Sequence, residues 1–216
     1  MHSKRIREKV KCDYDSIAAA FSETRQRGWS EFEVFRPYLR SGMRVLDVGC
    51  GNGRLLDFLN DFKPATYVGV DQSAGLLKEA RRVHSGEGVS FKELDMMEIL
   101  ELKGSFDVVF LIASFHHLPP KDQRLFLKRL KSVLAPEALV CMTNWNLWSL
   151  RFWKAWVKNL FWPQYGFKGL LIPFQNRVQR YYYAFSQREL RSLFQKEGYS
   201  ILREEAGRNY VTLAQL

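Results

Sequence analysis

The strongest constraint on this chain is residues 43–53, Met43-Arg44-Val45-Leu46-Asp47-Val48-Gly49-Cys50-Gly51-Asn52-Gly53. A short apolar run ends in an acid and three alternate glycines. An apolar helical pattern (Leu55, Leu56, Phe58, Leu59) follows at once, so the stretch reads as strand, tight turn, helix. Bare backbone at the turn lets a ligand come close, because a Cβ there would clash or forbid a positive φ. The spacing narrows the ligand. A dinucleotide site requires G-x-G-x-x-G with pyrophosphate over the helix N-terminus, whereas here Gly53 comes one residue early and Arg54 follows. A dinucleotide is therefore disfavoured.

A chain of 216 residues with 46% hydrophobic residues has ample core for one α/β domain. The expected organisation is a single domain over 1–216, with a helical preamble at 1–42 and a basic, aromatic insert at 145–185. The longest apolar run, Val108 to Phe115, falls far short of the ~20 residues of a membrane span, and the start has no signal-peptide core, so a cytoplasmic protein is expected. Cys12, Cys50 and Cys141 have neither disulfide nor zinc spacing and read as packing residues; no metal is expected. Of the net +10, residues 1–46 carry +4, 47–144 carry −1 and 145–216 carry +7. Basic character thus sits in the flanks, which suggests an anionic partner.

Thr66 to Asp71 reads as a second strand ending in an acid, 24 residues after Asp47, and Val89 to Leu94 as a third that leads to Asp95 a further 24 on. Ser73 can cap the helix that carries Leu76, Leu77 and Ala80, which frees Asp71 for a ligand. With these acids, D-x-G-x-G-x-G resembles the first motif of class I S-adenosylmethionine-dependent methyltransferases. That resemblance implies a Rossmann-like, doubly wound α/β sheet, mostly parallel, with an antiparallel C-terminal edge hairpin. It also implies S-adenosylmethionine as cofactor, with Asp71 on the ribose hydroxyls and Asp95 on the adenine amino group.

The fourth strand, Phe106 to Ile112, is almost wholly apolar, as a strand buried on both faces should be. Its exit, Ala113-Ser114-Phe115-His116-His117, faces the expected reaction centre. His116 is read as lining the methyl-transfer site and His117 as a structural hydrogen-bonder. A helix over Lys121–Leu134 is expected to turn Leu125, Leu127, Leu130 and Leu134 inward. Residues 6–21 read as a helix interrupted near Asp13, and Trp29, Phe32, Phe35 and Leu39 continue with helical spacing. Arg25 and Arg27, in the loop between, are candidate substrate contacts.

Residues 145–188 hold seven Lys or Arg, no Asp or Glu, and five of the six tryptophans. Interleaved cations and aromatics suit looped nucleic acid. The stripe Trp148, Phe152, Trp153, Trp156, Leu160 equally suits a membrane-surface helix, or a lid. Pro163 and Pro173 are expected to bound an irregular stretch, and Ser186 to Glu189 to form a capping box.

Tyr14-Asp15-Ser16-Ile17-Ala18, Phe21-Ser22-Glu23-Thr24-Arg25, the glycine motif, Phe115-His116-His117, Trp145 and Arg180-Tyr181-Tyr182 together look like the wobble-uridine tRNA methyltransferases, which esterify 5-carboxymethyluridine. Tyr183 stands where that family usually has His. The resemblance assigns Arg25, His116, Trp145, Arg180 and Tyr182 to catalysis. It assigns Tyr14, Asp47, Gly49, Cys50 and Gly51 to the cofactor, and likewise Asp71, Gln72, Asp95, Met96 and Ala113. It implies tRNA as partner and, in eukaryotes, a small activator protein. The competing functions are a small-molecule, quinone or lipid methyltransferase at a membrane surface, and an RNA-binding module without turnover.

Overall fold

The computed structural model describes residues 2–25 and 29–216; Arg27 lies outside the described residues. Strand β1 (Arg44–Val48) pairs in parallel with β2 (Thr66–Asp71) on one side and β4 (Phe106–Ile112) on the other. Beyond these lie β3 (Val89–Glu93) and β5 (Leu134–Trp145), also parallel. The C-terminal hairpin of β8 (Ser200–Ala206) and β9 (Asn209–Gln215) adds antiparallel to β5, which completes the order β3-β2-β1-β4-β5-β9-β8. This is the Rossmann-like sheet with an antiparallel edge. Strand order reverses between β1 and β4, and ligands in such sheets bind beyond the carboxyl ends at that point.

Alternation along β4 explains why it is apolar throughout. Val108, Phe110 and Ile112 enter one core with Phe32, Phe35, Leu55 and Phe58, while Val109 and Leu111 enter the other with Phe115, Phe126 and Leu130. The second core is covered by α1 (His2–Glu23), α4 (Pro120–Leu130) and α6 (Gln187–Lys196). A third, small core of Leu147, Leu170, Ile172, Tyr182 and Ala184 lies under α5 (Trp153–Phe161).

Four local expectations are corrected. First, α1 runs unbroken for 22 residues, because Lys9 reaches Asp13 one turn later at 2.6 Å and keeps that acid on the helix surface. Second, residues 30–39 form two 3₁₀ turns, Ser30–Val34 and Arg36–Tyr38, with Pro37 excluding a continuous α-helix. Third, the inward face of α4 is out of phase with the expectation: Leu125 is 41% exposed, while Phe126 is fully buried. The helix also ends at Leu130, and Leu134 opens β5. Fourth, the stretch between the two prolines contains β6 (Gly169–Phe174), paired antiparallel with β7 (Val178–Tyr183). Pro173 is tolerated because a two-stranded sheet leaves its nitrogen on an edge.

Candidate active site

A cavity with about 1030 Å³ of open space, mouth included, lies over the carboxyl ends of β1, β2, β4 and β5. Of the residues singled out from the sequence for catalysis or the cofactor, all line it; Arg27, also a candidate substrate contact, lies outside the described residues. Asp47, Gly49, Cys50 and Gly51 come from the end of β1, Asp71 and Gln72 from that of β2, and Asp95 and Met96 from the turn after β3. Ala113 and His116 follow β4, Trp145 ends β5, Arg180 and Tyr182 stand on β7, Tyr14 comes from the middle of α1, and Arg25 lies just beyond its end.

In the half formed by β1 to β3, Asp71 accepts from Gly51 N–H and Ser73 N–H, both at 2.9 Å. Ser73 Oγ caps α3 (Ala74–Val83) through Leu76 N–H, so the acid is not the cap. The Gly49 backbone, at φ +77°, runs so close to the β4 exit that a Cβ would lie 2.4 Å from Ser114 Cβ. Gly49→Ala should therefore cost about 2–4 kcal/mol of stability in urea melts. Asp95 is already held by Arg7 Nε at 2.7 Å and Met97 N–H at 2.9 Å.

Asp47 accepts from Tyr67 O–H at 2.8 Å through Oδ2, while its buried Oδ1 has no partner. Burial pushes its pKa up to about 7. An unfolded Asp titrates near ~3.9, so between roughly pH 4 and 7 the folded chain binds a proton that the unfolded one does not, and stability falls as pH rises. Above pH 7 both states are ionised and the full cost is present. Asp47→Asn should thus be more stable than the parent at pH 8, by an advantage that shrinks at up to ~1.4 kcal/mol per unit as pH falls to 4. Denaturant melts at pH 5 and 8 would read this.

The other half of the cavity has no acid on it. Arg180 is 2% exposed, and the rings of Tyr14, Phe21, Trp145, Phe174 and Tyr182 surround its guanidinium at 5.2–5.9 Å. Its Nη1 donates to Tyr14 Oη at 3.1 Å; its Nε has no partner, and no carboxylate pairs with it among the described residues. His117 Nδ1 must donate to the Tyr181 carbonyl at 2.7 Å, so its Nε2 accepts from Tyr14 O–H at 2.9 Å. Burial pushes the His117 pKa down to about 3, which keeps this chain of donors fixed. His116 Nδ1 accepts from Trp145 N–H at 3.3 Å, so its proton sits on Nε2, which has no partner. Burial, then His117 and Arg180, hold the His116 pKa well below its ordinary range. A neutral donor therefore lines the cavity beside a buried cation. Trp145 stacks between Tyr182 at 4.8 Å and Phe152 at 5.9 Å. Tyr183 is not in the cavity wall: its hydroxyl donates to Glu189 at 2.6 Å, beside the Ser186–Glu189 capping box.

Residues 45–137 match the model of the methyltransferase domain family. That match spans 93 of the 216 residues. Over 210 residues the chain is 29% identical to a tRNA (carboxymethyluridine(34)-5-O)-methyltransferase of Schizosaccharomyces pombe, covering 88% of this chain and 87% of that protein. An Arabidopsis thaliana protein of the same name is 33% identical over 133 residues, 61% of this chain and 31% of its own length. A fatty-acid O-methyltransferase of Mycolicibacterium smegmatis is 36% identical over 104 residues, 48% of this chain and 37% of that one. The chain thus spans about a third of the length of these last two. A solved DhpI-SAM-HEP complex superposes with a TM-score of 0.74 at 19% identity, over 100% of this chain and 99% of that one. The fold is one shared with solved S-adenosylmethionine-dependent methyltransferases.

The stretch matched by the family model supplies the half of the cavity with the acids; Tyr14, Arg25, Trp145, Arg180 and Tyr182 come from the segments on either side of it. The acidic half fits the cofactor: an unpartnered buried carboxylate oxygen on Asp47 suits a cation, the Gly51 backbone is open, and Asp71 retains lone pairs for hydroxyl groups. Sequence reasoning missed Arg7, and it missed that α1 forms a wall. Lys11 bonds Gln72 O at 2.6 Å, and Asp15 accepts from Ser73 Oγ at 2.6 Å. It also missed Arg54, which lies 4.1 Å over the Trp29 ring with Nη1 unpartnered and its pKa lowered to about 10, chiefly by burial and then by Arg25. Ala113 adopts φ +51°, a strained conformation for a residue with a Cβ, which no local pattern announces.

Proposed function

We propose that this protein is an S-adenosylmethionine-dependent O-methyltransferase acting on a carboxylate, the carboxymethyl group of a tRNA wobble uridine. The observation that carries the reading is Arg180, a buried cation with a free Nε, a neutral His116 beside it and no protein carboxylate for it. Such a site asks for an anion from outside. The name of the S. pombe relative gives that anion a chemical identity, and the basic flanks suit an RNA carrier.

Bound in the acidic half, S-adenosylmethionine supplies an electrophilic methyl on a sulfonium centre. A carboxylate, with a pKa near ~4, is already ionised at neutral pH, so no side chain need take a proton. Arg180 orients the acceptor through the edge that Tyr14 leaves free. His116 Nε2–H adds one further donor. One partial contact from each leaves a lone pair nucleophilic, and the surrounding rings keep water out, so the chemistry rests on placement. Trp145, held between Tyr182 and Phe152, presents its indole rim to a base.

A second reading, a long-chain acid as acceptor, is favoured by the M. smegmatis relative and by the apolar outer face of α5. Incubation with methyl-labelled cofactor and either total tRNA or a fatty-acid mixture separates the two. The expected result is label on tRNA that mild alkali releases, with nucleoside analysis returning carboxymethyluridine. Alkali-stable label would overturn ester formation, and label only in the fatty-acid fraction would move the assignment to the second reading.

A further inference from the structure

The exposed apolar surface of this protein is concentrated in one place. Leu150, Trp153, Val157, Leu160, Phe161 and Trp162 are 47–88% exposed, and Phe167 follows at 63%. The spacing from 150 through 153 and 157 to 160 and 161 sets the first five on one side of α5 and the turn before it. The opposite side is fastened. Trp156 Nε1 donates to Leu147 O at 2.7 Å and stacks on Trp148 at 4.4 Å. Asn159 Nδ2 donates to the carbonyls of Gly166 at 3.2 Å and Phe167 at 2.7 Å. The outer face is therefore held in place, although nothing among the described residues covers it.

We propose that this face docks on an anionic lipid surface. Three features choose that occupant. Arg151, Lys154 and Lys158 are exposed along the same helix and its leading turn, and no acid occurs anywhere between residues 145 and 188. A second copy of the chain would bring the same cations against themselves, and like charges across an interface are costly. Nucleic acid would satisfy the cations but not Leu150, Val157 and Leu160, which have no planar face on which a base can stack. A bilayer boundary accepts both sets: acyl chains take the apolar side chains, indoles lie at the headgroup level, and lipid phosphates meet the lysines. With 9 residues, α5 is ~13 Å long, so it lies along the surface rather than crossing it. Its fastened side reaches the cavity, since Phe152 stacks on Trp145 at 5.9 Å. Docking thus places the Trp145 wall of the cavity one helix diameter, ~10 Å, from the lipid surface. The inference does not depend on which acceptor is methylated.

The test is co-sedimentation of the full chain, in physiological salt, with vesicles of pure phosphatidylcholine and with vesicles containing about one-third phosphatidylglycerol. The expected result is retention by the anionic vesicles. The double variant Leu160→Glu/Phe161→Glu should lower partitioning by about tenfold or more, and Lys154→Glu/Lys158→Glu by about tenfold on anionic vesicles alone. All four side chains are exposed and outside the cavity, so circular dichroism and cofactor titration should show both variants folded. No retention by anionic vesicles, or equal retention by both compositions, would overturn the proposal. So would a concentration-dependent dimer that Leu160→Glu/Phe161→Glu dissolves, or a tRNA affinity lost in that variant while vesicle binding persists. Absence of methyl transfer to tRNA, by contrast, would bear on the acceptor and leave the docking result standing.

Discussion

Arg180→Met should lower kcat/KM for methyl transfer by about 10²–10³ while leaving cofactor affinity unchanged and raising the melting temperature. These three outcomes follow from the position of one side chain. The guanidinium is buried among aromatic rings, donates to Tyr14 and meets no carboxylate of its own chain among the described residues. The folded protein therefore bears a desolvation cost that the surrounding rings and Tyr14 offset in part and that an incoming anion would offset further. Replacing such a charge with an apolar group of similar length commonly stabilises a fold by ~1–4 kcal/mol. The same change removes the partner that orients the acceptor, which accounts for the loss in rate. Cofactor affinity, read by calorimetry, should not move, because the acids that would hold the cofactor stand in the other half of the cavity. Undiminished turnover in the variant would remove Arg180 from the site, and a lower melting temperature would mark it as a packing residue.

Asp71→Ala should weaken cofactor binding by ~2 kcal/mol or more, roughly thirtyfold, in a chain that still folds. The carboxylate lies at the end of β2 and accepts from Gly51 N–H and Ser73 N–H at 2.9 Å each. Burial raises its pKa, and those two backbone donors pull it back. Removal of the carboxylate takes away two strong acceptors for hydroxyl groups and also loosens the glycine turn. Helix α3 retains its Ser73 cap, which is why the fold should survive. Titration with the demethylated cofactor gives the answer. Unchanged affinity in a folded variant would reduce Asp71 to a fastener of the turn.

The sheet and the acidic half of the cavity were legible because their signals are local. A strand, a turn and an acid at its end lie within a few residues of one another, and the interval from Asp47 to Asp71 to Asp95 repeats one βαβ unit. The unbroken α1, by contrast, depends on Lys9 reaching Asp13, and its place over the cavity depends on Arg7 and Lys11 reaching residues far along the chain. No periodicity encodes those two long-range contacts, whereas the Lys9–Asp13 pair, four residues apart, is a local helical signal. In α4 the spacing of the leucines points Leu125 inward, whereas the fold buries Phe126 and leaves Leu125 at the surface. The β6–β7 hairpin was hidden by Pro173, which argues against a strand unless the strand is an edge. Arg180 was identified by resemblance, but the absence of a carboxylate around it is visible only in three dimensions.

Helix α1 touches both halves of the cavity. Arg7, Lys11 and Asp15 fasten it to the side with the acids. Lys9, through Gln179 O at 2.6 Å, and Tyr14, through Arg180 and His117, fasten it to the side without them. One helix thus spans both compartments. A coupling between their ligands, if this helix carried it, would have to be reciprocal: whatever factor an occupant of one side added to affinity on the other, the second occupant would return to the first.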